Sequence, residues 1–106
     1  MTDRDRLRTA ADRLEQLAER STPGDWRIGG LLATRPEVVA HRACETEHVA
    51  EARAASAAWI VALSPTVGPP LAAWLRAAAD APSVEPAAVA VAQALLERLP
   101  GPATRR

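Results

Sequence analysis

At 106 residues the chain is long enough for one domain with a single core and too short for more. Its 13 basic residues, all arginine, and 13 acidic residues cancel and are interspersed, so no sequence-wide charge bias points to nucleic acid or to a membrane surface. A single cysteine, Cys44, excludes a disulfide within the chain. The apolar fraction of 48% is filled mainly by Ala, Leu and Val. Phe and Tyr are absent, and three Trp supply all the aromatic side chains, so the few large residues are expected to anchor the packing.

The chain opens on Met1-Thr2-Asp3-Arg4-Asp5-Arg6, which is charged and lacks the apolar core of a signal peptide. Thr2 followed by Asp5 has capping-box spacing. Leu7, Ala10/Ala11, Leu14 and Leu17/Ala18 then recur at helical intervals, which predicts a helix over 3–20 with Arg8 and Asp12 paired on its outer face. Arg4, Arg6 and Arg8 alternate with acids and read as a solvated face.

Pro23 and Gly24 end this helix. Trp26-Arg27-Ile28 has the alternation of a half-buried strand, Gly29-Gly30 signals a turn, and 31–34 is ambiguous. After Arg35-Pro36, residues 37–44 read as extended again. The expectation is a short antiparallel hairpin near 26–44, supported by a helix because two strands alone are marginal.

Glu45-Thr46-Glu47 suits a helix N-terminus and predicts a second helix over 47–63, with Val49, Ala52, Ser56, Trp59/Ile60 and Leu63 inward. A third helix starts near Pro65 or Pro69 and runs to about 79, with Val67, Leu71, Trp74/Leu75 and Ala78 inward. The short link makes these two helices antiparallel neighbours, with Trp59 and Trp74 as anchors of a shared core. A fourth helix, over 85–99, carries Val89, Ala92, Leu96 and Leu99. Pro100-Gly101-Pro102 ends it, and 103–106 reads as a disordered tail. No apolar run approaches ~20 residues, so no membrane span is expected.

Chemistry-bearing residues cluster at one place only. His41-x2-Cys44-x3-His48 has ligand types that zinc uses, with Glu45, Glu47 and Glu51 nearby. The set is incomplete, because the chain holds no further His or Cys to close a tetrad. No metal and no cofactor is therefore expected. Cys44 and His48 as nucleophile and base require an i,i+4 helical relation and an oxyanion site that nothing nearby supplies; the expectation is not an enzyme. Trp26 reads first as a core plug between hairpin and helices, and otherwise as an exposed contact residue. Leu14 on the first helix and Leu96 on the fourth are the candidates for a self-association face.

Two segments together carry a family likeness. Leu14-x2-Leu17-Ala18-x3-Ser21-Thr22-Pro23-Gly24-Asp25-Trp26-Arg27, followed by Ala58-Trp59-Ile60-Val61-Ala62-Leu63-Ser64-Pro65-x-Val67-Gly68-x2-Leu71-Ala72-x-Trp74-Leu75, resembles small phage and prophage proteins common in actinobacteria, similar to the Ead-like group of phage early-region proteins. The shared motifs are a turn and a helix joint, and they bring no catalytic residue. The last helix and its Pro-rich tail have no counterpart in that pattern, and the β-segment here is short.

The sequence thus predicts a single α+β domain over 1–102, mostly α, of about four helices with a short β-hairpin inserted after the first. The lack of a site constellation and of a charge bias, together with the resemblance, leads to the expectation of a non-enzymatic, phage- or prophage-derived accessory protein that binds a host protein or assembles with itself. The lack of a signal peptide or membrane span leads to a cytoplasmic one, and apolar surface left over on the first and fourth helices to a homodimer. The alternative is a small nucleic-acid-binding regulator using Arg4, Arg6, Arg8, Arg105 and Arg106.

Overall fold

The computed structural model describes residues 1–29 and 36–101. It is a mixed α+β chain, 59% helical, with a three-stranded antiparallel sheet. The chain divides into two compact units: residues 1–20 with 68–106, and residues 21–67.

The first unit is built from α1 (Asp3–Arg20), α3 (Gly68–Asp80) and α4 (Pro86–Arg98). The helix α1 begins as its sequence specifies. The Thr2 backbone N–H donates to Asp5 Oδ2 at 3.1 Å, and the Asp5 N–H donates to Thr2 Oγ1 at 3.0 Å, a reciprocal cap for two amides that lack intrahelical partners. The Thr2 backbone N–H, and after it the Thr2 side chain, favour the ionised form and hold the Asp5 carboxyl below its ordinary pKa. The cap is therefore intact above the usual carboxylate range and is lost only as the pH falls through that lowered value.

One contiguous core joins the three helices: Leu7, Ala10 and Ala11 of α1, Ala72, Leu75 and Ala79 of α3, and Ala88 and Ala92 of α4. Leu14, Val84, Val89, Leu95 and Leu96 pack around it, half-buried. Small residues let the backbones approach closely. At the start of α3 a Cβ on Gly68 would stand 2.9 Å from the Ala18 Cβ. The buried stripe on α3 is Gly68, Ala72, Leu75 and Ala79; of the expected Val67, Leu71, Trp74/Leu75 and Ala78, Leu75 lies on it and the others are one position round. Trp74 is consequently 42% exposed. An indole on that stripe would force the helices apart.

Around this core the α1–α3 seam is polar. The Arg4 guanidinium donates to the carbonyls of Ala79, Ala81 (2.7 Å) and Pro82 (3.3 Å) at the end of α3, where free carbonyls and the helix dipole both favour a cation. Arg8 meets Asp80 at 2.9 Å. Arg76 pairs with Glu15 and, at 2.8 Å, with Asp12. The expected Arg8–Asp12 pair is thus replaced by two longer-range ones, and Arg6 turns back to Asp3 at 2.9 Å.

The second unit comprises β1 (Asp25–Gly29), β2 (Glu37–Arg42), β3 (Glu45–Glu51), α2 (Ala54–Ala62) and a single 3-10 turn over Pro65–Val67. The strand order is β1-β2-β3, so β2 is central and both outer strands are edges. Trp26 lies opposite Ala40 and Ile28 opposite Val38. The expected hairpin is therefore present as β1 and β2, while its ambiguous 31–34 segment lies outside the described residues, as does the 103–106 tail.

The third strand occupies what the sequence predicts as the start of a helix. Glu45 and Glu47 would suit a helix N-terminus, yet they pair with Arg42 and Ala40 across the sheet. A bulge shifts the register between Val38 and Val39, whose partners are Ala50 and His48, leaving Val49 as the extra residue. The helix α2 starts only at Ala54 and packs on β1 and β2. Among the described residues, Val38, Ala40 and Ala57 are the buried apolar ones here.

The helix count also differs from the expected four. Residues Ala54–Asp80 form one helical stretch of 27 residues, interrupted at Leu63-Ser64 and by the 3-10 turn. Counted this way there are three helices. The expected common core for Trp59 and Trp74 gives way to two separate cores, since α3 packs with α1 and α4 in one unit while α2 packs on the sheet in the other.

Candidate functional site

The β2–β3 turn brings the predicted ligand residues near one another without making them a site. Arg42 pairs with Glu45, leaving Ala43 and Cys44 as a two-residue hairpin loop. Ala43 has φ of 51°, a left-handed conformation that the first central position of such a loop favours and an alanine adopts only with strain. Cys44 is exposed at this tip with a free thiol. His41 faces Thr46 across the ladder, and His48 faces Val39. Opposed residues share a face and residues two apart along a strand do too, so the two histidines lie on one face. His48 Nδ1 is 2.6 Å from Glu37 Oε2 on that same face. Among the described residues no group of three or more His, Cys, Asp or Glu could hold a metal ion. The helical i,i+4 relation that a Cys44–His48 pair needs does not exist, because 45–51 is a strand.

A hollow of about 80 Å³ beside this hairpin is lined by Pro23, Ala40, Arg42, Glu45, Thr46 and Glu47. That is well below the ~300–1,000 Å³ of ordinary small-molecule sites.

The three residues singled out for contact are occupied with local packing. Trp26 is half-buried, and its indole N–H donates to the Thr22 carbonyl at 2.9 Å. This clamps the Thr22-Pro23-Gly24 turn. Gly24 has φ of 114°, and a Cβ there would fall 2.7 Å from the His41 carbonyl oxygen, so only glycine fits. Leu14 and Leu96 are half-buried against the core of the first unit.

The surface that lacks a partner is instead on α2. Its sequence, Ala-Ala-Ser-Ala-Ala-Trp-Ile-Val-Ala, contains no ionisable residue, and only Ala57 is buried. On the side away from Ala57, helical spacing aligns Ala55, Trp59 and Ala62, with Leu63 following. Trp59, expected in the core, is 69% exposed, and Leu63 is 56% exposed. The reason is geometric: α2 packs on β1 and β2, and its buried or half-buried residues, Ala57, Ile60 and Val61, share one side of the helix. A nine-residue helix with its one buried alanine on the sheet has its indole on the far side. Sequence reasoning found Trp59 and misassigned it; the signal available was a helix apolar all round with no charged face to turn to water.

By length and composition the stretch Ala54–Asp80 is also apolar enough to cross a membrane, against the sequence expectation. It is interrupted at Leu63-Ser64 and by the 3-10 turn, and it holds Arg76 and Asp80, both ion-paired with α1.

Compared with protein-family models, curated proteins and solved structures, the chain matches none. The likeness to Ead-like phage proteins therefore rests on the residues quoted for it.

Proposed function

We propose that this is a non-enzymatic accessory protein, phage- or prophage-derived and cytoplasmic, that acts by protein–protein contact through α2, without a metal or cofactor. The observation that carries the reading is the α2 face itself: a charge-free helix with Trp59 and Leu63 turned to solvent. Tryptophan at the centre of an apolar patch is the residue type on which contact energy concentrates. The sheet and the three-helix unit then serve as scaffolds, the sheet in particular holding α2 by its opposite side.

The alternative, a nucleic-acid-binding regulator, needs guanidinium groups free for phosphates. Arg4 and Arg8 are engaged with the end of α3 and Arg6 with Asp3, which favours the protein-contact reading. The test compares the chain with its Trp59→Asp variant as bait in host lysate. A protein retained by the first and lost with the second, at unchanged helical circular dichroism, is the expected outcome. Equal retention by both, or binding to duplex DNA that weakens steeply with salt, refutes it.

A further inference from the structure

We infer that α2 docks on α2 of a second copy of this chain, as a weak two-fold pair; this rests on the contact role proposed for α2 and names its partner. The argument is charge first. A two-fold interface sets a patch against itself, so any ionisable group near the axis meets its own kind. The Ala54–Ala62 helix has none. Arg53, immediately before it, would lie in an antiparallel pair across from the partner's far helix end, a helix length of roughly 13 Å from its own counterpart.

Shape agrees. Ala55 and Ala62 stand one turn before and one turn after Trp59 on the same stripe. In an antiparallel pair each indole fits over the partner's alanines, and the small residues leave the room it needs. A lipid surface suits α2 less well, because helices that lie in a membrane interface carry a cationic polar face and α2 has no polar face at all.

Area sets the strength. Trp59 exposes roughly 170 Å², and with Leu63 and the exposed alanines the face offers roughly 450 Å² per copy, below the ~800 Å² per partner of a stable complex. The dimer is therefore weak and reversible.

Sedimentation equilibrium on the full chain reads this directly. The weight-average mass is expected to rise from 11.2 kDa toward twice that value as concentration passes from about 1 μM to 1 mM. Trp59→Asp, and independently Leu63→Asp, should hold it at the monomer mass with helical circular dichroism retained. A constant monomer mass for the unmodified chain, or a dimer untouched by both variants, overturns the pairing. So does partitioning of the unmodified chain into neutral phosphatidylcholine vesicles that Trp59→Asp abolishes. A photocrosslinker in place of Leu63, activated in the producing cells, separates the two levels of the reading. A product of twice the chain mass supports self-pairing. A product of another mass alone overturns self-pairing and leaves the contact role standing, and no product overturns both.

Discussion

The two units of this chain handle their apolar residues in opposite ways. The three-helix unit gathers six alanines and two leucines into one contiguous core and closes its seam with arginine bonds and ion pairs. Among the described residues the sheet unit buries only Val38, Ala40 and Ala57 of its apolar residues, and it leaves Trp59, Leu63 and, at 49%, Ile28 open. Residue size explains little of this, since alanine predominates among the buried side chains of both units. What decides it is how closely the elements can approach. Alanine-faced helices meet nearly backbone to backbone, whereas a three-stranded sheet with one nine-residue helix on it has too few layers to enclose an indole.

The sharpest way to break the comparison is to hollow each core. Leu75→Ala should destabilise by about 3 kcal/mol, because the surrounding alanines cannot collapse further to fill the space. Val38→Ala, which removes less volume from a thinner layer, should cost about 2 kcal/mol. Chemical denaturation measures both, and a larger loss at Val38 would reverse the ranking of the two interiors. Removing the arginine cap tests the seam next. Arg4→Met keeps the aliphatic stem and deletes the bonds to the end of α3, for an expected loss of about 1–2 kcal/mol. Amide exchange should quicken in the last turn of α3, and unchanged exchange there would show that the seam carries no weight. The smallest change should stabilise: Ala43→Gly relieves the left-handed alanine at the hairpin tip, worth about 0.5–1 kcal/mol in melting experiments.

Local order was legible in the sequence where it depends on near neighbours. Thr2 and Asp5 announced the reciprocal cap, Leu7, Ala10 and Ala11 the buried stripe of α1, and Pro23-Gly24 the turn that follows. The second strand pair was not legible, because Glu45 and Glu47 suit a helix start as well as a strand edge, and only their pairing with Arg42 and Ala40 settles it. The partners of Arg4, Arg8 and Arg76 lie more than sixty residues away in the chain, beyond any local pattern. As for the site, Trp59 was visible as special, but the assumption that the largest side chains must be interior placed it on the wrong side of its helix.

Ala18 and Gly68 stand within van der Waals reach of each other, and everything between Ser21 and Val67 belongs to the sheet unit. The helical unit is thus interrupted by an excursion whose exit and return are neighbours. Joining the ends of a flexible loop of about 50 residues costs about 3.5 kcal/mol beyond a constant term, and doubling such a loop adds only about 0.6. The three-helix unit is accordingly tolerant of what the excursion contains. Its length can drift, or its contents be exchanged for another small fold, with little penalty to α1, α3 and α4, so long as the two ends still meet at that alanine and glycine. In a chain of this size the helices are then the constant part, and the sheet with its exposed helix is the interchangeable one.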